Sequence, residues 1–472
     1  MAPAKTPLTK SQLLGLGAMS MGVLVIANDF TALSVALPHI ERTFHSSVTT
    51  TQWIINGYAL VFGVLIVTGG RLADMFGRRR IFFIGSAIFA GFSLLGGLAT
   101  DIWALLAARG AMGIGGAMMW PAILGMTYGL LPSNRAAIAG ALILGSAGFG
   151  NAVGPLLGGV LTDLLSWRWI FYLNIPIAAL GVLVTWRVVP KVKPDDVDHR
   201  IDYGGVVTLS VGLFALLLTL DLGTSLGWIH PTVIALFSAS VLSLGLFAFV
   251  ERRAGSKALI PKDVLENRAF FSAFLATLMN SAIFFAALLY LPQFMSKVLG
   301  FKAIESGAGL LPVMGVFAIA SFVAGPLYER FGAKAIVSTG AAFLATGMFM
   351  LSRIDPTTTF LELIPGMVVL GTGIGLFYSS ITTAGITALD PSRASLGGAI
   401  IYMAQIAGGA IGLGVNTAIV VSATVFADGI GTAFLVDSAL AVCALAVSLL
   451  FIGGRIDRAT LHSLVHRHRA HG

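Results

Sequence analysis

Residues 13–37 read LLGLGAMSMGVLVIANDFTALSVAL, 25 positions of which one, Asp29, carries a charge. Crossing a ~30 Å hydrocarbon core takes about 20 helical residues, so this run is long enough to span. It has no dyad alternation, and in lipid only helices and closed barrels satisfy every backbone polar group; the run therefore reads as a helix. The same reading applies to apolar segments at roughly 51–72, 81–99, 103–130, 136–162, 169–189, 203–222, 229–250, 269–295, 304–327, 334–352, 359–388, 394–424 and 431–453. The expected fold is an all-α polytopic membrane protein with fourteen spans.

Composition supports that class. Of the 472 residues 57% are hydrophobic and 11% charged, against about 25% charged in an ordinary soluble domain. Mean hydropathy is +0.91. A water-soluble enzyme is excluded. The net charge of +8 would point to nucleic acid in a soluble protein; here it matches basic cytoplasmic loops, and no nucleic-acid partner is expected. With the N-terminus inside, 23 Lys and Arg fall in cytoplasmic segments and five outside, with Arg109 within span four. Both termini are thus expected in the cytoplasm, in a cell (inner or plasma) membrane. The basic N-terminus leads into a first span with no convincing cleavage site, so that span is read as retained. Cys443 stands alone, which leaves no intrachain disulfide or thiolate cluster.

Two longer polar connections divide the chain. Residues 1–189 form an N-terminal six-helix bundle and 269–453 a C-terminal one. Between them, 190–268 hold linkers and two additional spans at about 203–222 and 229–250. Residues 454–472 are a basic tail whose His462, His466, His468 and His471 read as solvated rather than as a metal site. The bundles repeat: Gly70, Asp74, Phe76, Gly77 and Arg79 recur 255 residues on as Gly325, Glu329, Phe331, Gly332 and Lys334, and Gly140, Gly150 and Gly154 recur at an offset of 258 as Gly398, Gly408 and Gly412. Parallel halves with sites near the midplane between them are the architecture of alternating-access carriers.

Asp29 is the acid most squarely mid-span. A carboxylate at the bilayer centre costs ~2.5–3.5 kcal/mol on insertion scales, and such residues mark functional sites. Desolvation favours the protonated form of a carboxyl, so an acid facing a cavity can exchange protons; the bland alternative is a structural carboxylate bonded to nearby backbone. Arg109, the only base well inside a span, is its natural partner in proton coupling, against the alternative of snorkelling to an interface. Asp163, Asp221 and Asp437 fall near expected span ends, where solvated carboxylates are unremarkable. In span five Gly150, Gly154 and Gly158, beside Pro155 and Gly159, give small-xxx-small spacing for close helix approach. Span thirteen has Asn416 where a third glycine would fall, so looser packing is expected there. The Gly70–Arg80 loop, with Arg71, Asp74, Gly77, Arg78 and Arg79, reads as an inter-helix lock or as a stop-transfer cluster. Gln52, Asn56, Tyr58, Trp120, Asn151, Asn280, Tyr290, Gln293, Tyr378, Tyr402 and Gln405 are candidates to line a mostly apolar cavity, the kind that suits lipophilic cargo. There is no phosphate-binding GxxxxGK[ST] loop and no HExxH, so no cofactor is expected and a proton gradient is the expected driving force.

These stretches resemble the major facilitator superfamily, specifically its fourteen-span drug:proton antiporters. GRLADMFGRRR (70–80) is similar to the loop motif between spans two and three, LLAARGAMGIGGA (105–117) to the span-four arginine motif, and GFGNAVGPLLGG (148–159) with WRWIFYLNIP (167–176) to the span-five antiporter motif and its continuation. NDFTALSVALPHI (28–40) and TQWIINGYAL (51–60) match spans one and two, with Asp29 at the family's first-span carboxylate. The resemblance implies two six-helix bundles plus two central helices, and proton-driven multidrug export with Asp29 and Arg109 as coupling residues. Relatives that handle dicationic drugs carry further acids in span thirteen, where this chain has Gln405; neutral or monocationic lipophilic cargo is expected, with protons and membrane lipids as the other partners and a monomeric state. Two alternatives stay open: an exporter or flippase of a lipid or endogenous metabolite, marked by a wide lateral opening, and a non-transporting membrane sensor or scaffold, marked by the lack of a continuous cavity reaching Asp29.

Overall fold

The computed structural model of the chain describes residues 8–131, 135–191, 202–254, 258–301 and 303–452. The histidine-bearing tail, most of the 190–202 linker and Pro132–Asn134 lie outside the described residues. The helices are α1 (Lys10–Phe44), α2 (Val48–Phe76), α3 (Arg78–Gly97), α4 (Ile102–Leu130), α5 (Ala136–Leu164), α6 (Arg168–Val188), α7 (Tyr203–Leu226), α8 (Pro231–Ala254), α9 (Lys262–Leu265), α10 (Arg268–Lys297), α11 (Ala303–Ala308), α12 (Leu311–Phe331), α13 (Ala333–Leu351), α14 (Phe360–Thr387), α15 (Ala394–Ser422) and α16 (Phe426–Phe451). Fourteen candidate spans result, with the short α11 leading into α12. Several starts follow from local chemistry. Thr9 and Gln12 form a capping box on α1, and Asp101 accepts from the first free N–H groups of α4.

Helices α1–α6 make one bundle and α10 with α12–α16 the other. The halves meet chiefly along two seams, α2 against α15 and α5 against α12, with further contact of α4 with α15 and α5 with α14. These seams are the same pair of helices exchanged between the repeats, which explains the repeated glycines. A Cβ on Gly70 would come within 2.9 Å of the Ser395 carbonyl oxygen, and one on Gly325 within 3.0 Å of that of Ala137. Gly77 and Gly332 end their helices at φ of 98° and 83°, a region that L side chains avoid. Helix α7 lies against both α2 and α15, and α8 packs on α7 with most of its surface exposed.

The start of the last span differs from expectation. Helix α16 begins at Phe426 rather than near 431, because Asp428 sits in its first turn, where the helix dipole favours an acid. Asp437 therefore lies eleven residues into the helix and is 2% exposed; it is not a solvated span-end carboxylate. Asp163 is at a span end, with its side chain 60% exposed and 4.0 Å from His39. The side chain of Asp221 lies outside the described residues.

Candidate functional site

A buried charge network occupies the core of the first bundle. Arg109 on α4 donates through Nη1 to Asp29 Oδ2 at 2.5 Å, and both side chains are fully buried. Its Nε donates to the Ile54 carbonyl of α2 at 2.8 Å, and the guanidinium lies 4.3 Å from the Tyr58 ring centroid, a cation–π contact. On the far side Asn174 of α6 donates from Nδ2 to Asp29 Oδ1 at 3.0 Å and to Ser93 Oγ at 3.2 Å, while Ser93 donates to the Phe171 carbonyl. Five helices thus hold one ion pair. Breaking such a pair on one side is costly, because the remaining charge stays buried.

A cavity of about 730 Å³ lies between the halves. Its wall includes Ala27 and Thr31 of α1, Asn56 of α2, Trp120 of α4, Asn151 of α5, Asn280 of α10, and Tyr378, Tyr402 and Gln405 of α14 and α15; leucines and phenylalanines supply most of the rest. Tyr402 packs against Trp120 in a tilted arrangement with ring centroids 4.4 Å apart, and the Tyr378 hydroxyl donates to the Gln405 side-chain oxygen. Among the described lining residues none is charged. Leu217, Leu218 and Leu220 of α7 complete one side, giving that inserted helix a place at the seam.

Several sequence expectations for this wall need correction. Tyr58 is fully buried against Arg109. Tyr290 turns its hydroxyl onto Thr417 Oγ1 at 2.7 Å. Gln293 accepts from Lys297 near the end of α10. None of these three lines the cavity, and the side chain of Gln52 lies outside the described residues. Asp29 itself is one layer behind the wall and fully buried, so the expectation that its carboxyl faces the cavity is not met in this conformation. Ala27 and Thr31 face the cavity, and a residue two positions from each points to the opposite side of a helix. The carboxyl therefore meets Arg109 rather than the apolar space.

At the basic end of the bundle the halves are clasped. Asp74 Oδ2 accepts from the Leu396 backbone N–H of α15 at 2.9 Å, and Asp74 Oδ1 accepts from Arg78 Nε at 3.1 Å. Arg78 continues to the Gly125 carbonyl at 2.9 Å and the Pro391 carbonyl at 2.6 Å. Pro391 follows Asp390, whose carboxyl the Ser392 hydroxyl and N–H, with Arg393, hold below the ordinary carboxylate range. Arg79 serves its own half instead, donating to the Trp186 and Val189 carbonyls at the end of α6. Arg71 is buried near Glu251, Asp263 and Arg393, and neither Nη donates a hydrogen bond among the described residues.

Helix α5 meets α1 through its glycines. A Cβ on Gly158 would collide with the Ala32 carbonyl, and one on Gly154 with Thr31 Oγ1, whereas Gly159 has only ordinary contact with Val35 at 3.8 Å. Gly159 is thus beside the seam, not in it. Gly158→Leu is expected to cost about 1–3 kcal/mol by overpacking, read as a lower thermal unfolding midpoint, while Gly159→Ala leaves the midpoint unchanged. In the second half Gly408 and Gly412 meet the Leu278 and Ala282 backbones of α10 just as closely, so the expected looser packing is absent at those positions. Asn416 ends that seam and turns to Asp437, its Nδ2 donating to Oδ1 at 3.2 Å.

Asn174 and Ser93 were not singled out from sequence. An asparagine within the apolar run WRWIFYLNIP was the available signal, since buried polar groups in lipid need partners.

Two pseudo-symmetric bundles around a central cavity, with a clasp at one end, define a polytopic carrier. The major facilitator superfamily model matches residues 19–413, and the chain belongs to that superfamily of transporters. It is 33% identical over 416 residues to puromycin resistance protein pur8 of Streptomyces alboniger, covering 87% of this chain and 82% of that one. It is 32% identical to the cephamycin export protein CmcT of Amycolatopsis lactamdurans, covering 90% and 89%, and 32% identical to multidrug resistance protein Stp of Mycobacterium tuberculosis, covering 86% and 76%. The fold is similar to the human organic anion transporter MFSD10, with a TM-score of 0.68 at 14% identity over 94% of this chain and 100% of that one.

Proposed function

We propose that this transporter exports small lipophilic compounds, neutral or monocationic, from the cytoplasm in exchange for protons by alternating access. The Lys- and Arg-rich end is then cytoplasmic, and the conformation is outward-facing. The lining residues of α2 (53–60) and α15 (402–417) lie away from the clasped end, so the cavity sits toward the outside. An apolar wall with a few amides and tyrosines suits lipophilic cargo, and relatives named for puromycin resistance and cephamycin export support antibiotics as the class.

One observation carries the coupling: Arg109 joins Asp29 to the Ile54 carbonyl, and the next two residues of α2, Ile55 and Asn56, are cavity wall. While Asp29 is ionised it holds Arg109 in place. A proton on Asp29 removes that hold, and the guanidinium shifts against the α2 backbone, so the wall changes shape as the charge changes. The seam glycines between α1 and α5 let the two helices move as close-packed units. The leucines of α7 close one side of the cavity, which weighs against a wide lateral entry for lipid.

The test is transport in proteoliposomes under an imposed pH gradient, with puromycin and with neutral, monocationic and dicationic dyes. Neutral and monocationic probes are expected to move and to stop when the gradient is collapsed. Dications are expected to be excluded, having no carboxylate in the wall. Gradient-independent movement, or equal transport of dications, overturns the proposal.

A further inference from the structure

Asp437 lies eleven residues into α16, about 16 Å along the axis at 1.5 Å per residue, and so near the middle of a ~30 Å hydrocarbon core. Its Oδ1 accepts from Asn416 Nδ2, which also donates to the Gly412 carbonyl at 2.8 Å. The remaining oxygens of the pair, Asp437 Oδ2 and Asn416 Oδ1, are buried and have no hydrogen-bond partner among the described residues. Two buried acceptors with no donor between them lack a hydrogen. Protonated Asp437 supplies one; an ionised carboxylate would leave the deficit and add an unpaired charge.

Among the described residues the surroundings offer no counter-ion. Helix α16 packs on α10, α13 and α15. On α10, Arg268 and Lys297 stand at opposite ends, and Lys297 lies 4.5 Å from the ring centroid of Phe426, the first residue of α16. Tyr290 gives its hydroxyl to Thr417. Lys334 is the second residue of α13, with Arg353 beyond its other end. On α15 the titratable group is Tyr402, in the cavity wall, and α16 itself adds Asp428 and Cys443. No ion pair to Asp437 occurs among the described residues. The contrast with Asp29 is direct: each acid accepts from one asparagine, but Asp29 also has Arg109. Asp29 stands behind the cavity wall, and Asp437 bonds to Asn416 of α15, a helix whose Leu413 and Thr417 line the cavity.

We propose that Asp437 is a second proton site of the transport cycle, neutral in this outward-facing conformation. It releases its Oδ2 proton to cavity water when the α15–α16 contact loosens in the opposite state, and takes one back from outside. The proposal rests on the proton-coupled reading above and extends it from one proton to two, one in each half of the molecule.

The test is an infrared pH titration of the full-length protein in nanodiscs, following the protonated-carboxyl stretch in wild type, Asp29→Asn, Asp437→Asn and Asp437→Glu. A band lost in Asp437→Asn, displaced in Asp437→Glu, kept in Asp29→Asn and fading as pH rises is the expected result. In proteoliposomes, protons moved per ethidium fall from two to one in Asp437→Asn. A titrating signal unchanged in Asp437→Asn overturns the proposal, as does an Asp437-dependent band that is constant with pH, which is a purely structural acid, or one that responds to sodium at fixed pH. The failure of the Asp29 reading is separate: Asp29→Asn would then keep gradient-driven transport, whatever the Asp437 band does.

Discussion

Asp29→Asn is expected to reduce gradient-driven transport to the leak of empty vesicles and to destabilise the protein by about 3–5 kcal/mol, the cost of leaving one member of a buried ion pair uncompensated. Arg109 is fully buried, and after the substitution its Nη1 faces a neutral amide. Removing both charges separates the two effects. In Asp29→Asn/Arg109→Gln no buried charge remains, and replacing a whole buried pair is often near neutral, so the unfolding midpoint recovers toward wild type. Transport does not recover, because neither the Asp29 carboxyl nor the guanidinium that it holds against the Ile54 carbonyl of α2 remains. Thermal unfolding of the purified variants reads the first quantity, and dye efflux under an imposed pH gradient the second. A double variant that regains gradient-driven efflux along with its stability would make the pair a structural brace and remove it from the coupling. Substrate counterflow without a gradient adds a control, since exchange needs the cavity and the rocking motion but no proton, and Asp29→Asn is expected to keep it.

The architecture was open to a reading of sequence because lipid leaves the backbone few choices. Each run of 20 or so apolar residues had to be a helix, and the repeat of Gly70 and Gly77 at Gly325 and Gly332 reported seams and turns that the two halves share. The Asp29–Arg109 pair was legible for an energetic reason: one acid and one base deep in spans are too costly to stand apart. Which way each side chain faces was not legible. Helical rotation is set by partners from distant parts of the chain, so a list of polar span residues mixed true wall residues such as Asn151 and Gln405 with Tyr58 and Tyr290, which serve other helices. Asp437 was misplaced by a span boundary. The span was expected from about 431, whereas Ala427, Asp428 and Gly429 form the first turn of α16, and five residues at one end separate a buried carboxylate from apparent solvent.

Asp74→Ala is expected to shift the conformational equilibrium away from the state closed at the basic end by about ten- to hundredfold. Leu396 is the third residue of α15, so its N–H is one of the four that a helix start leaves without an internal acceptor. Asp74 on α2 supplies that acceptor from the other half of the molecule, and its charge also meets the positive end of the α15 dipole. A hydrogen bond to a charged group contributes about 1.5–3 kcal/mol, and each 1.4 kcal/mol is about tenfold in population. The contact joins the halves only while the basic end is shut, so its loss penalises that state alone. Arg78→Lys should produce a smaller shift in the same direction, since a single ammonium cannot fork to the Gly125 and Pro391 carbonyls while also holding Asp74. Spin labels at Arg80→Cys on α3 and Lys334→Cys on α13, with Cys443→Ser to remove the native thiol, report the separation of the halves at that end. The expected result is a longer-distance population that grows from wild type through Arg78→Lys to Asp74→Ala. Distance distributions that coincide in all three would mean that the clasp follows closure without stabilising it, and the closed end would then be held by the helix packing between the halves and by the Tyr128–Thr383 hydrogen bond.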